Sequence, residues 1–310
     1  MEDNLDALAC IDIPDHQLSE SPNSRTIEIG QWVITARTNP ISNAQELDTL
    51  QKQLSGLPLP EMTFGNNSLE LEHKASGWKY QFTTGNALKG VKNGELGEGD
   101  GGVKVGHAEA WMQSRTGPSS QTPMPKTVPT KVYDWTYTTT YVGHNLPPSP
   151  SAIPWIPADP ENPSHRIPMA ELNRRDPIMF YAEIPLFEDE LHDNGSSHLI
   201  VRIRVMPTCF FILSRWTLRV DNVLFRTFDT RIYHSHRSSP PLVVREMSGW
   251  EAPYQHVKRL LPRKDDFTPL TDPGWVSKVL SDLPAEISQG EGARTGWRGL
   301  GTKTEVVILG

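Results

Sequence analysis

The sequence predicts an α+β fold, mainly antiparallel β-sheets in a sandwich-like meander with a few flanking helices and disordered tails. Three dense apolar runs, at 199–206, 210–220 and 223–233, follow one another with only short breaks. Asp221-Asn222 separates the last two runs, and Asp and Asn tolerate the positive φ angles that two-residue hairpin turns require. No other stretch of the chain is apolar for as long. We therefore expect these runs to form the centre of the core.

Composition indicates one domain with unpacked segments rather than two full domains. The 310 residues are 36% hydrophobic and include 27 prolines and 23 glycines, a composition that favours long segments outside the core. We predict a disordered N-terminal tail at 1–24, a single domain at 25–284 and a C-terminal tail at 285–310. Gly-rich or Pro-rich composition predicts flexible insertions inside the domain, near 94–102, 117–130 and 144–166.

The N-terminal third predicts three strands and one helix. Arg25–Arg37 is rich in β-branched residues and ends before an Asn-Pro pair, so we expect one strand there. Asn43–Leu54 is expected to be a helix, because its first residue can cap it and a Glu three residues on can reach back to the cap. Ser68–Lys74 and Trp78–Thr84 alternate apolar and polar residues, which predicts a hairpin.

The rest of the chain predicts further strands around the apolar runs. Lys131–Gly143 is expected to be a strand whose aromatic residues recur at period two on one face, a pattern more typical of core than of a binding site. Asp176–Leu191 alternates and leads into the meander, and Leu242–Met247 predicts one more strand after it. Asp272-Pro273 opens a last helix, with Asp as its cap and Pro in its first turn.

Charge and cysteine content argue against several function classes. The net charge of −7 is unfavourable for a protein whose main partner is a nucleic acid, which requires a basic stripe. No apolar run reaches the length of a membrane span, and the acidic N-terminus lacks the apolar core of a secretion signal. The two cysteines, Cys10 and Cys209, do not suffice for a disulfide framework or a Cys-based zinc site. We expect a soluble cytoplasmic protein, with the nucleus as an alternative compartment.

An acidic cluster ends the strand predicted at 176–191. Its residue order matches neither the zinc-protease motif nor a calcium loop with oxygen ligands at alternating positions. It is either a solvated loop, as most charge runs are, or an acidic contact surface for a basic partner. The cluster consists of Glu188, Asp189, Glu190 and Asp193.

Four histidines permit a second hypothesis, a metal-dependent enzyme on a β-sandwich. Adjacent strands could bring them together, although only one pair has ligand spacing within a single strand. The chain has neither a Gly-x-Ser-x-Gly nucleophile elbow nor a phosphate-binding loop, which leaves no other catalytic motif. The four are His192, His198, His234 and His236, of which the last two form the pair.

Arginines punctuate the meander. Arg202 and Arg204 share the face opposite their apolar neighbours, and Thr227, Asp229 and Arg231 share a face of the last run. These side chains form either the solvent face of a one-sided sheet or a charged groove for a peptide or its carboxylate, which guanidinium binds in a bidentate fork. A phosphopeptide-binding module that uses the arginines stays open as a third hypothesis.

Five unusual segments, in this order and spacing, resemble the TIPRL family, the TIP-forty-one-like regulators of TOR signalling. They are LPEMTFGNN at 59–67, YDWTYTTTY at 133–141, LFEDELHDNG at 186–195, IRVMPTCFFIL at 203–213 and NVLFRTFDTRIYH at 222–234. The resemblance extends from about residue 31 to about residue 284. The three insertions and both tails depart from it, so the departures affect loops rather than the core.

The resemblance implies a non-enzymatic protein without a cofactor. It implies binding to the catalytic subunits of protein phosphatase 2A and its relatives, alongside the alpha-four type phosphatase regulator, and a mostly antiparallel fold. The family carries an Asp where this chain has Asn86, whereas its Asp-Thr-Arg block is intact here at 229–231. We therefore expect one contact at the acidic cluster and another in a groove near Asn86, Thr227, Asp229 and Arg231.

Overall fold

Two antiparallel β-sheets form the fold in the computed structural model. The structure describes residues 13–91, 136–146, 153–174, 176–191, 195–221, 224–263, 266–272, 274–276, 278 and 302–310. The strands are β1 His16–Ser21, β2 Ser24–Ile29, β3 Trp32–Arg37, β4 Met62–Thr63, β5 Ser68–His73, β6 Trp78–Thr83, β7 His144–Asn145, β8 Ile156–Pro157, β9 Phe180–Asp189, β10 Gly195–Val205, β11 Cys209–Val220, β12 Leu224–Ser235, β13 Leu242–Pro253 and β14 Lys303–Ile308. The helices are α1 Ala44–Gln53, α2 Thr84–Lys89, α3 Met169–Leu172 and α4 Tyr254–Lys258, with 3-10 turns at Pro163–His165 and Thr268–Thr271.

The predicted meander is the centre of the larger sheet. This sheet, which we call the large sheet, has the strand order β4-β9-β10-β11-β12-β13-β14-β8, so the six strands from β9 to β14 pair in chain order. The small sheet has the order β1-β2-β3-β5-β6-β7. The sheet-dominated α+β prediction is therefore confirmed, because period-two apolar runs joined by short turns can satisfy their backbone only by pairing with neighbouring strands.

The core lies between the two sheets. Alternate residues of the large sheet, among them Val201, Ile203 and Trp216, are almost fully buried against Ile34 and Phe82 of the small sheet. Burying one such side chain contributes about 1.5–3 kcal/mol. The alternation therefore divides the large sheet into an inner face, which packs on the small sheet, and an outer face.

The N-terminal segment pairs where we predicted a tail. Residues 16–21 form β1, which pairs with β2 along its full length at the edge of the small sheet. The disorder expected there is therefore wrong for those residues, and 1–12 lie outside the described part of the chain. The strand predicted at 25–37 is a hairpin, because Gly30 takes a φ of 56°, which favours glycine and permits a tight turn.

The C-terminal segment also pairs, so the tail predicted at 285–310 is wrong for 303–308, and 285–301 lie outside the described residues. Strand β14 pairs with β13, and Val306, Val307 and Leu309 are fully buried. From the inner face, Arg245 donates to Tyr80 Oη at 2.8 Å and forms an ion pair with Glu305. These contacts tie the end of the chain to both sheets.

Two further predictions fail in the middle of the chain. The described part of the expected aromatic strand, 136–143, is not a strand, because Tyr137 has a φ of 51° and so leaves the extended conformation. The Pro-rich insertion at 144–166 contributes the short strands β7 and β8. The predicted insertions at 94–102 and 117–130 lie outside the described residues.

Helix α1 begins as its sequence predicts. Asn43 Oδ1 accepts from the backbone N–H groups of Gln45 at 3.0 Å and Glu46 at 3.1 Å, and Glu46 accepts from the Asn43 N–H at 2.9 Å. This is the predicted capping box. In the predicted last helix, Asp272 Oδ1 accepts from Trp275 N at 2.5 Å, and 274–276 are helical.

Replacing the cap tests the contribution of α1. We expect Asn43→Ala to lower the free energy of unfolding by about 1 kcal/mol, because two backbone donors lose their acceptor. Urea denaturation measures the change, with the exposed Gln53→Ala as the matched control in the same helix. Equal midpoints for the two variants would contradict a stabilising role for the capping box.

Candidate partner-binding face

The outer face of the large sheet gathers most of the predicted site residues. Register places Glu188 opposite His198, His198 opposite Thr217, and Thr217 opposite Thr227, so these four form one row across the sheet. In the second row, Arg215 lies opposite Asp229. The third row consists of Glu183, Arg202, Leu213, Arg231 and Glu246. We call these three rows the polar band.

Apolar covers flank the polar band at both ends. One cover packs Ile167 and Leu172 on Cys209, Tyr233 and Val244 of the outer face. The other cover packs Val257, Leu270 and Val276 on Phe225 of the outer face, and all four side chains are buried. The polar band is therefore a strip between two covers rather than a fully open sheet face.

Asp229 is the centre of a buried ion network. Its two carboxylate oxygens accept from Arg215 Nε and Nη2, both at 2.6 Å, and the Asp229 and Arg215 side chains are only 3% and 5% exposed. Arg231 Nη2 also donates to Asp229 at 2.8 Å. Arg231 Nη1 reaches Glu246 at 2.9 Å and Ser248 at 3.1 Å. Asp229 thus orients two guanidinium groups and has little surface of its own for a partner.

Two other arginines of the outer face, Arg202 and Arg204, also have partners. Arg202 Nε donates to Glu183 at 2.7 Å, and its side chain is 17% exposed. Arg204 Nη2 donates to the Leu172 carbonyl at 3.0 Å and its guanidinium lies 5.7 Å from the Phe211 ring centre. A phosphate would have to displace a carboxylate from Arg202 or Arg231, which weakens the case for a phosphopeptide-binding module.

The predicted acidic cluster divides between surface and interior. Glu188 is half-buried on the outer face and Glu190 is exposed, whereas Asp189 points inward. Asp189 accepts from the backbone N–H of Glu61 at 3.0 Å and of Leu191 at 2.7 Å, so it joins the segment before β4 to the turn after β9. Asp193 lies outside the described residues. Of the two alternatives for the cluster, a solvated loop or an acidic contact surface, neither fits Asp189, whose carboxylate is buried at the end of β9.

A groove of about 520 Å³ opens where the polar band meets the second cover. Its floor includes His198 and Thr217, its rim Glu188 and Glu190, and its wall Phe267. Burial and the nearby arginines 202, 215 and 219 lower the pKa of His198 to about 4, so its imidazole is neutral. The groove combines carboxylates, a neutral imidazole and apolar walls, a composition suited to holding a polar side chain of another protein.

Asn86 lies apart from this face. It belongs to α2, next to the small sheet, where its side-chain N–H donates to Thr83 Oγ1 at 3.0 Å and lies 2.8 Å from His144 Nε2. The structure therefore does not place Asn86 in one groove with Thr227, Asp229 and Arg231. If Asn86 contacts a partner, it does so at a separate surface.

The described histidines of the prediction do not form one cluster: the rings of His234 and His236 lie 5.6 Å apart between centres, but His198 is elsewhere. His198 lies on β10 opposite Thr217, in the row that reaches Thr227 on β12, whereas His234 is seven residues further along β12 and faces inward. Trp32 Nε1 donates to His234 Nε2 at 2.9 Å, and His234 Nδ1 lies 2.8 Å from the Leu242 carbonyl oxygen. Among the described residues no group of three His, Cys, Asp or Glu side chains could hold a metal ion. His192 lies outside them.

Comparison with known proteins identifies the family. The sequence pattern of the TIP41-like family matches residues 62–258. The chain belongs to the TIP41-like family. It is 37% identical to the type 2A phosphatase activator TIP41 of Saccharomyces cerevisiae over 84% of this chain and 72% of that protein. It is 37% identical to the TIP41-like protein of Homo sapiens, over 81% of this chain and 84% of that protein.

The TIP41-like pattern covers β4, β9–β13 and the polar band. The chain is also 32% identical to the type 2A phosphatase activator tip41 of Schizosaccharomyces pombe, over 83% of this chain and 94% of that protein. The resemblance proposed from five sequence segments is therefore confirmed. Among the described residues of this TIP41-like chain, none of the helices combines the length and apolar character that a membrane crossing requires.

Sequence reasoning missed part of the candidate site. Arg215 carried no signal that distinguishes it from the other arginines of the apolar runs, yet it is the main partner of Asp229. Thr217 and Phe267 carried no signal, because a threonine in a strand and a phenylalanine in a loop are common in any core. The spacing of two residues between Arg215 and Thr217, and between Thr227 and Asp229, was the available signal for a shared face in this TIP41-like chain.

Proposed function

We propose that this chain is a non-enzymatic regulator that binds the catalytic subunit of type 2A protein phosphatases and modulates their activity or assembly. The observation that carries the proposal is the match over more than four fifths of the chain to two yeast proteins named type 2A phosphatase activators. The family pattern, which matches residues 62–258, includes the strands that carry the polar band.

The polar band supplies a suitable contact surface. Its accessible charges, Arg202, Arg231, Glu183 and Glu246, are held by ion pairs on paired strands, so they lose little conformational entropy when a partner binds. Arginine is the charged residue most enriched at the centres of protein interfaces. We propose that Arg202 and Arg231, oriented by Glu183 and Asp229, contact the phosphatase, with Glu188 and Glu190 as an acidic margin.

The wider setting follows from the same family argument. We propose that the chain acts in TOR signalling in the cytoplasm, alongside an alpha-four type phosphatase regulator. Asn86 would belong to a second contact, on the side of the small sheet, because it is separated from the polar band. A partner that spans both surfaces would have to wrap around the edge of the sandwich.

A pull-down with a purified type 2A catalytic subunit tests the proposal. We expect the wild-type chain to retain the subunit, and Arg202→Ala/Arg231→Ala to weaken binding by about tenfold or more, since truncating an interface arginine commonly costs more than 1 kcal/mol. Arg37→Ala is the matched control, because Arg37 forms a similar ion pair with Glu70 at 3.0 Å on the small sheet. Circular dichroism would verify that each variant is folded.

Two results would count against this assignment in different ways. Failure of the folded wild-type chain to bind the subunit would overturn the function. Equal binding by the wild type, the double variant and Arg37→Ala would leave the function standing and remove the polar band as its site. Asp229→Ala is unsuitable for this assay, because loss of the buried ion network would confound contact with stability.

A further inference from the structure

The groove beside Glu188 has the walls of a pocket for a long side chain. Phe225, Phe267 and Leu270 supply its apolar surface, and Phe225 and Leu270 are themselves nearly fully buried. Arg219 closes one side, where its guanidinium lies 4.2 Å from the Phe267 ring centre and its Nε 2.9 Å from Asp221. The volume of about 520 Å³ exceeds what one side chain fills, so a short segment of chain can enter with it.

The floor of the groove presents hydrogen-bond acceptors. Glu188, His198 and Thr217 are successive neighbours across β9, β10 and β11, so their side chains lie side by side on the outer face. Thr217 is only 1% exposed, and its Oγ1 has no hydrogen-bond partner among the described residues. A buried hydroxyl without a partner costs free energy, which a ligand that hydrogen-bonds to it recovers.

The charge of the groove favours a cation at the Glu188 side. Burial first, and then the neighbouring charge of Glu190, raise the pKa of Glu188. Neither Glu188 nor Glu190 forms an ion pair with a described residue, in contrast to Arg202, Arg215 and Arg219, which are 2.7, 2.6 and 2.9 Å from their carboxylate partners. The positive charges near the groove are thus compensated, and the two glutamates are not.

We propose that this groove receives a lysine side chain of a partner protein. The ammonium group has three donors, which match the Glu188 carboxylate, the accepting nitrogen of neutral His198 and Thr217 Oγ1. The four-carbon stem of lysine would pack on Phe225 and Leu270. The inference rests on the proposed function for the identity of the partner, the phosphatase catalytic subunit, while the chemistry of the groove stands on its own residues.

A pair of peptides tests the chemistry without the phosphatase. The probes are N-acetylated, C-amidated Gly-Lys-Gly and Gly-norleucine-Gly, which share the stem and differ in the ammonium group. In an NMR titration of the full chain, we expect the lysine peptide to shift the signals of Ser196, His198 and Thr217 and to bind about tenfold more tightly than the norleucine peptide. Equal binding of the two peptides, or shifts confined to other surfaces, would overturn the proposal.

Two variants show whether the named residues cause the preference. Glu188→Gln is expected to reduce the advantage of lysine over norleucine to about twofold or less, because the charge is lost and the shape is kept. Thr217→Val removes only the unpartnered hydroxyl, so the chain should fold and bind lysine about threefold to tenfold more weakly. Thr35→Val, which removes a hydroxyl on the small sheet, is the matched control and should leave binding unchanged.

The phosphatase experiment separates this inference from the proposed function. We expect Glu188→Gln/Glu190→Gln to weaken binding of the catalytic subunit about tenfold, and prior acetylation of the lysines of the subunit to weaken the wild-type complex similarly. If the lysine peptide binds the groove and the subunit does not bind at all, the proposed function fails and the groove stands. If the subunit binds the wild type and this variant equally, the groove is not part of the contact and the inference is wrong.

Discussion

Replacing Asp229 with alanine should lower the free energy of unfolding by about 3–5 kcal/mol, because it leaves a buried guanidinium without its carboxylate. The carboxylate accepts two 2.6 Å hydrogen bonds from Arg215 and one of 2.8 Å from Arg231, and its side chain is only 3% exposed. Removing it would leave Arg215 charged in an interior that solvates charge poorly. Urea denaturation followed by tryptophan fluorescence measures the loss.

The control for Asp229 is a carboxylate of the same kind near the surface. Glu70 pairs with Arg37 at 3.0 Å, but the two side chains are 24% and 44% exposed. Exposed ion pairs contribute about 1 kcal/mol or less, so Glu70→Ala should shift the midpoint only slightly. If Asp229→Ala unfolds at the same urea concentration as Glu70→Ala, the ion network does not stabilise the fold as we describe.

Acidification from pH 7 to pH 5 should destabilise the protein by about 4 kcal/mol through His198 and His234. Burial and neighbouring arginines lower the pKa of His198 to about 4, and burial lowers that of His234 to about 3 despite its hydrogen bond to Leu242. Unfolded histidines titrate near pH 6.5, so each would give up about 2 kcal/mol by pH 5. His236, whose pKa is lowered to about 4 by burial, adds to the effect.

The sign follows from proton binding. Because the folded pKa lies below the unfolded value, the unfolded chain binds more protons between about pH 6.5 and the folded pKa values of about 3 to 4. The stability contributed by neutral His198 and His234 is fully present above pH 6.5 and is lost as the pH falls through that window. For His234 the structural reason is direct, since its Nε2 accepts the Trp32 hydrogen bond that joins the two sheets and cannot do so when protonated.

Urea denaturation at half-unit steps from pH 7.5 to 5 measures this dependence. His198→Gln should reduce the slope of the unfolding free energy against pH by up to about 1.4 kcal/mol per pH unit, the value for one bound proton. His16→Gln, on the exposed strand β1, is the control. A wild-type free energy of unfolding that is constant across the range would contradict the burial of neutral histidines.

The local rules of the chain account for much of the fold. Period-two alternation located β9, the dense apolar runs located β10 to β12, and the capping box located the start of α1, because these patterns depend on residues close in sequence. Long-range pairing was not predictable in the same way. Strands β1 and β14 have short or polar sequences with no strong pattern, and they pair because the neighbouring edges of the two sheets offer unsatisfied backbone groups.

The candidate site shows the same division. Alternation alone placed Thr227, Asp229 and Arg231 on one face of β12, and the structure has them there. It could not tell which of them reaches solvent. Only the register with β11, which sets Arg215 opposite Asp229, makes Asp229 a buried support and leaves Arg231 at the surface.

The sequence by itself therefore determined the sheet class, the faces of the central strands and the family. The tertiary structure alone decided which charges are buried supports, which are accessible, and that Glu188 borders a groove with His198 and Thr217. The physical reason is that side-chain direction along a strand is a local property of the backbone. Exposure and charge compensation depend on strand register and on the covers that pack from distant parts of the chain.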